Sequence, residues 1–248
     1  MTFKENLYKI CEDVVKEFPG WRFVAGRFEN SLLKHTDLVI DPGLFFDQGF
    51  TNLEPSIGIR NKRCAALYAE IFEIPRRNIP VTSFIRLQAI AHLLVHMPEP
   101  MRLQCVICAD KKPFLAAIHK PNACPEEQIA RFEQMAVDIQ DVRPVLIAMM
   151  RDGESLLGKL YDLSSEENLL RALPAKYATR HANSANDELE KQKGVMLCIV
   201  RILVGDFDYV ERYRSDEFQT VFPKRVNELD KIVARMPELR KRFVEQGR

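Results

Sequence analysis

The chain has 248 residues, of which 46% are hydrophobic and 29% charged, with a formal net charge of +1. That composition excludes a disordered or fibrous chain, and the near balance of charge excludes steering of a polyanion by the whole molecule. No run approaches the roughly 18 apolar residues of a membrane span; the best uncharged stretch, 87–97, is shorter and holds two histidines.

Thr2-Phe3-Lys4-Glu5 fits a capping box, in which the threonine hydroxyl accepts an orphan N–H and the glutamate reaches back. The charges at Lys4 and Glu5 also argue against a signal peptide. Phe3, Leu7, Ile10, Val14 and Phe18 make one helical face, which Pro19-Gly20 stops. From Trp21 the period drops to two. Trp21, Phe23 and Ala25 alternate with Arg22 and Val24, and Glu29-Asn30 offers a turn. Leu38 and Ile40 predict a second strand ending at Asp41-Pro42-Gly43, and Ile57 and Ile59 a third. The short connections leave no room for helical crossovers, so the predicted sheet is an antiparallel meander.

Residues 63–73 predict a short helix through Leu67, Tyr68 and Ile71, while 82–96 fit helix and strand equally. The stretches 101–108 and 114–119 read as strands joined by Ala109-Asp110-Lys111-Lys112-Pro113. Beyond Cys124-Pro125 the helical period takes over. Pro125 suits a first helical position, Glu126 and Glu127 suit the positive end of the dipole, and Ile129, Phe132, Ala136, Ile139 and Val142 form one stripe. Pro144 opens a second helix with Val145, Met149, Leu156 and Leu160 inward. Ser164-Ser165-Glu166-Glu167 is a further capping box, opening a helix that Pro174 closes. Residues 177–186 are polar and are the best candidate for a long exposed loop; helices are predicted over 187–204, 206–213 and 223–236, with a last one around Leu239 and Phe243. The expected fold is α+β: an N-terminal helix and a small antiparallel sheet, then an all-helical C-terminal half. Strands are expected only before about 122, with helix and loop after 125. The corresponding division is an α+β domain over 1–122 and a helical domain or subdomain over 123–248.

Four groups of residues invite a chemical reading. Gly153-Glu154-Ser155-Leu156-Leu157-Gly158-Lys159 has the spacing of a phosphate loop, but Leu160 stands where a magnesium-holding hydroxyl belongs. The Leu-Leu interior favours a helix. Cys105 and Cys108 have zinc-ligand spacing, with His119 and Cys124 downstream or His92 and His96 upstream as partners. Val106 and Ile107 between them suit a buried strand, which would send the two thiols to opposite faces, so no metal is expected. Arg60, Lys62 and Arg63, then Arg76 and Arg77, and near the end Arg235, Arg240, Lys241 and Arg242 make the basic groups, either a solvated face or a contact for phosphate or nucleic acid. Phe45, Phe46 and Phe50 crowd one loop; such residues either tuck into the core or anchor a partner.

The six cysteines read as mostly free thiols of a reducing, cytoplasmic compartment. The layout is similar to that of bacterial cytosolic proteins, some of which neutralise toxins; no motif carries that likeness and no residues are transferred from it. The functional expectation is a soluble, non-catalytic protein-binding module, of adaptor, chaperone or toxin-neutralising immunity type. No cofactor, membrane or nucleic-acid partner is expected, and the contact residues are Phe45, Phe46, Phe50, Arg76 and Arg77. The alternative is a metal- or phosphate-dependent enzyme using the cysteine and histidine cluster or the arginines.

Overall fold

The computed structural model describes residues 1–74, 105–121, 124–176, 187–215 and 225–245. Helix α1 (Phe3–Val14) begins with the expected capping box: Glu5 N donates to Thr2 Oγ1 at 3.2 Å, and Thr2 N donates to Glu5 Oε2 at 2.7 Å. Its inward face carries Leu7, Cys11 and Val14. A four-stranded antiparallel sheet follows, with order β1 (Trp21–Val24), β2 (Arg27–Leu33), β3 (Thr36–Asp41), β6 (Ser56–Asn61). The first hairpin turns at Ala25-Gly26 and not at Glu29-Asn30, which lie within β2. Both turn residues have positive φ, 50° and 82°, as a two-residue type I′ turn requires. At the end of β3, Asp41 Oδ1 accepts from Gly43 N at 2.9 Å, forming the expected turn. A side chain on Gly43 would run into the Glu54 carbonyl.

The phenylalanine stretch expected to be a loop is a hairpin, β4 (Phe45–Asp47) and β5 (Phe50–Leu53), with Asp47 paired to Phe50. It opens a second sheet of order β4-β5-β7-β8, with β7 at Cys105–Cys108 and β8 at Ala136–Asp138. Two sequence expectations change here. The segment expected as a strand over 114–119 belongs to helix α3 (Lys111–Ile118), because Asp110 caps it by accepting from Lys112 N at 2.9 Å. And β8, after 125, is a strand parallel to β7, so the antiparallel pattern does not extend to this sheet's last pair. The intervening α3 and α4 (Glu126–Met135) supply the crossover that a parallel pair needs. The stripe Ile129, Phe132, Ala136, Ile139 and Val142 is accordingly divided among helix, strand and turn.

From Arg143 onward every described element is a helix. These are α5 (Arg143–Leu160), α6 (Glu166–Lys176), α7 (Asp187–Leu203), α8 (Phe207–Arg214) and α9 (Val226–Arg240), which runs on into a π-helical turn at Lys241–Glu245. The buried side of α5 holds Val142 at its entry, then Leu146, Met149, Met150 and Leu157, a stripe one position round from the one expected. Ser165 caps α6, accepting from Asn168 N at 3.0 Å, while Glu167 pairs with Arg171 and does not close a box on Ser164. Pro174 does not end α6, which continues to Lys176. No helix of the described residues is long and apolar enough to cross a membrane.

The chain divides into two compact units. The first comprises Met1–Leu32, Asp37–Gly58 and Arg86–Leu157; the second comprises Leu33–Thr36, Ile59–Ile85 and Gly158–Arg248. Position 122 falls inside the first. In the first unit, α1 lies on one face of the second sheet, where Phe3 and Tyr8 meet Phe46. On the opposite face Val106, Cys108, Met135 and Ala136 form a cluster with Phe50, Phe114, Leu115 and Phe132 packed on it. In the second unit, helix α2 (Lys62–Phe72) is bound to the C-terminal turn through Glu70, which accepts from Arg242 Nη1 at 2.9 Å and from Arg235 Nη2 at 3.3 Å.

Candidate functional site: an aromatic sheet edge

Strand β4 is the outermost strand of the second sheet and, among the described residues, pairs on one side only. Its alternation divides the three phenylalanines. Phe46 points to the α1 face, half-buried at 5.9 Å from the Phe3 ring and 5.7 Å from Tyr8, with Lys4 Nζ 5.5 Å above it. Phe45 points the other way and is 63% exposed. Phe50 shares that second face, since Phe45 pairs with Asn52 and Asp47 with Phe50. Its ring lies 5.2 Å from Phe114, which in turn meets Phe132 at 6.0 Å.

Beside Phe50 the surface is indented. A groove of about 340 Å³ is lined by Gly49, Phe50, Ala109, Pro113, Phe114 and Ala117, among others. Local sequence chemistry places each wall. Gly49, at φ 77°, closes the β4–β5 turn. Asp110 and Asp138 hold the first turn of α3, Asp138 Oδ1 accepting from Lys111 N at 2.5 Å. Pro113 stands early in that helix, where its missing N–H costs no bond. The result is an apolar trough on the sheet face from which Phe45 projects at the edge.

Cys105 and Cys108 are both buried on β7, pairing with Leu53 and Phe50 respectively, and their spacing sends them to opposite faces. Burial pushes the Cys105 thiol up to about 12; burial and then Asp138 push Cys108 up to about 11. Both thiols are therefore protonated at neutral pH. His119 Nε2 lies 2.9 Å from Glu133 Oε1, and Cys124 Sγ lies 3.5 Å from Gln128 Oε1. Among the described residues no group of three or more His, Cys, Asp or Glu is placed to hold a metal ion. His92, His96, Arg76 and Arg77 lie outside the described residues. Gly153–Lys159 is helical throughout, within α5. A Cβ on Gly153 would stand 2.5 Å from Ile40 Cδ1, so this glycine lets a side chain of β3 approach the helix backbone.

Phe114 and Pro113, two residues of the groove wall, are not legible as site residues, because Phe114 reads as the start of a strand and Pro113 as the end of the connection before it. The available signal was Asp110, a helix cap two residues before Lys112. Comparison with protein families, with curated proteins and with solved structures finds no match to this chain.

Proposed function

We propose that this protein is a non-catalytic binding module that takes an extended segment of another protein along β4. The observation that carries the reading is Phe45, 63% exposed on an edge strand whose same face holds the Phe50–Phe114 groove. Edge strands offer unpaired backbone groups, and side chains two residues apart on an added strand fall on one face. A partner strand could thus gain main-chain hydrogen bonds along β4 and seat one apolar side chain against Phe45 and another in the groove. Large aromatic side chains supply most of the energy in such contacts. The six free cysteines fit a reducing, cytoplasmic setting, and the balanced charge fits a protein partner better than a nucleic acid.

A displayed library of random ten-residue peptides tests this. Wild-type protein is expected to enrich sequences with apolar residues at alternate positions, and Phe45→Ser is expected to weaken them by more than about fivefold, close to 1 kcal/mol. Phe45 is largely exposed, so Phe45→Ser retains the fold. Absence of enrichment, or enriched peptides indifferent to Phe45→Ser, would overturn the reading.

A further inference from the structure

The second unit holds a cleft of a different character, about 480 Å³ in volume and open on one side. Its charged lining is Arg63, Glu166, Glu167 and Arg171, and its apolar wall includes Leu170 and Phe243. The π-helical turn after α9 carries Phe243. Such turns interrupt a helix at a local cost and recur at functional sites.

Glu166 is held from behind by two buried side chains. Thr36 is 0% exposed and Asn61 1% exposed. Asn61 Nδ2 donates to Glu166 Oε1 at 2.9 Å and to Thr36 Oγ1 at 2.8 Å, and the Thr36 hydroxyl donates to the same Glu166 oxygen at 2.8 Å. Asn61 is itself fixed, because its Oδ1 caps α2 by accepting from Cys64 N at 2.9 Å. Both side-chain donors of this triangle, the Asn61 amide and the Thr36 hydroxyl, are directed at one carboxylate oxygen, and the other, Oε2, has no partner among the described residues. Arg171 is engaged by Glu167 and by the Val204 carbonyl. Arg63 lines the same cleft and, among the described residues, makes no ion pair.

A carboxylate with one preset oxygen and a guanidinium that is in no ion pair among the described residues thus share a cleft without closing on each other. The charge pattern restricts what fits between them. A polyanion such as a nucleotide would face Glu166 and Glu167; a polycation would face Arg63 and Arg171. A small molecule with one charge of each sign satisfies both, and its apolar part can lie against Leu170 and Phe243. We infer that the cleft is a binding site for a small zwitterion of the amino-acid class, a free α-amino acid or a dipeptide. Its ammonium group meets Glu166 and its carboxylate meets Arg63. The volume lies in the ordinary range for small-ligand sites. This site is independent of the sheet edge, whose residues all belong to the first unit.

Titration calorimetry on the full chain tests the inference with L-leucine, L-phenylalanine and leucyl-phenylalanine, each beside its N-acetyl and its C-amide form. At least one zwitterion is expected to bind with Kd below about 1 mM, and removing either charge to weaken it by about tenfold or more. Glu166→Gln and Arg63→Gln are each expected to cause a loss of that size, with Phe243→Ala lowering affinity for the phenylalanine-bearing ligands. Should Glu166→Gln fail to fold, Arg63→Gln and the blocked ligands carry the test alone. No binding by any of the three zwitterions at about 10 mM, equal binding of the blocked forms, or binding that survives the Arg63 substitution would overturn it.

Discussion

Gly153 and Gly158 belong to one helix and have opposite surroundings. At Gly158 an added Cβ meets nothing within 4 Å, whereas at Gly153 it meets Ile40 Cδ1 at 2.5 Å. Alanine is preferred over glycine inside a helix by about 1 kcal/mol, so Gly158→Ala should stabilise by roughly 0.5–1 kcal/mol. At Gly153 the same gain is outweighed by overpacking, and Gly153→Ala should cost about 1–2 kcal/mol net. Urea unfolding of both variants checks the pair; equal shifts would contradict the contact with Ile40. The helix itself was legible from the Leu-Leu interior of the segment, but the reason for its first glycine was not, since Ile40 is remote in sequence. Burial of the thiols was legible at Cys11 and Cys198 from the helical stripes, and it has a consequence at high pH. Burial and then Glu12 push Cys11 up to about 12, and burial pushes Cys105 up to about 12, from an ordinary 9.0. A group whose pKa is raised by folding stabilises fully below its unfolded pKa and loses that contribution as pH rises toward the folded value. Stability should therefore hold to about pH 9 and fall steadily from there to about pH 12, measured by urea midpoints across that range. A flat profile would show that these thiols ionise freely in the folded chain.

At the scale of elements, the patterns read best were those with local causes. Thr2 and Glu5 cap α1 on each other, and Asp41-Pro42-Gly43 ends β3 with its own side chain. The misreadings had causes beyond the segment. Apolar density in Phe114-Leu115-Ala116-Ala117-Ile118 imitates a strand; the helix forms because Asp110 satisfies its first turn and Phe114 and Leu115 have the β7–β8 cluster to pack on. Ala136–Asp138 continues a helical stripe, yet it is drawn into the sheet as β8, where Ala136 pairs with Val106 and Asp138 with Cys108. Tertiary pairing outweighs local periodicity there. The cap gives a prediction: Asp110→Ala should cost about 1 kcal/mol, as loss of an N-cap usually does. It should also reshape the groove, because Pro113, Phe114 and Ala117 ride on that helix. Unfolding measurements report the first effect. A fall in peptide affinity with Phe45 intact would report the second; unchanged affinity would separate the groove from the binding surface.

At the scale of the whole chain, the order of apolar residues conveyed the α+β class and the helical second half, because both follow from the change of apolar period along the sequence. The division of the chain into units was not conveyed in the same way, since contacts between distant segments define it. The first unit needs residues from both sides of position 122: β7 and α3 before it, and α4, β8 and most of α5 after it. Within that unit Trp21 Nε1 on β1 donates to Glu154 Oε1 on α5 at 2.6 Å, and β8 completes the sheet that β4, β5 and β7 begin. The second unit needs α2, from before 122, whose Glu70 receives Arg235 and Arg242 from the C-terminal segment. A cut between 122 and 123 would leave β7 without its parallel neighbour and expose Val106 and Cys108, which Met135 and Ala136 now cover. It would also strip the C-terminal helices of α2, with buried Cys64, Leu67 and Ile71 on its inner face. Fragments 1–122 and 123–248, expressed apart, should therefore each lack a cooperative thermal transition, whereas the full chain shows one. Mixed together, they should regain helical circular dichroism and a transition, because the severed contacts are non-covalent. A sharp melt by either fragment alone would show that the sequence-level boundary at 122 is also a folding boundary.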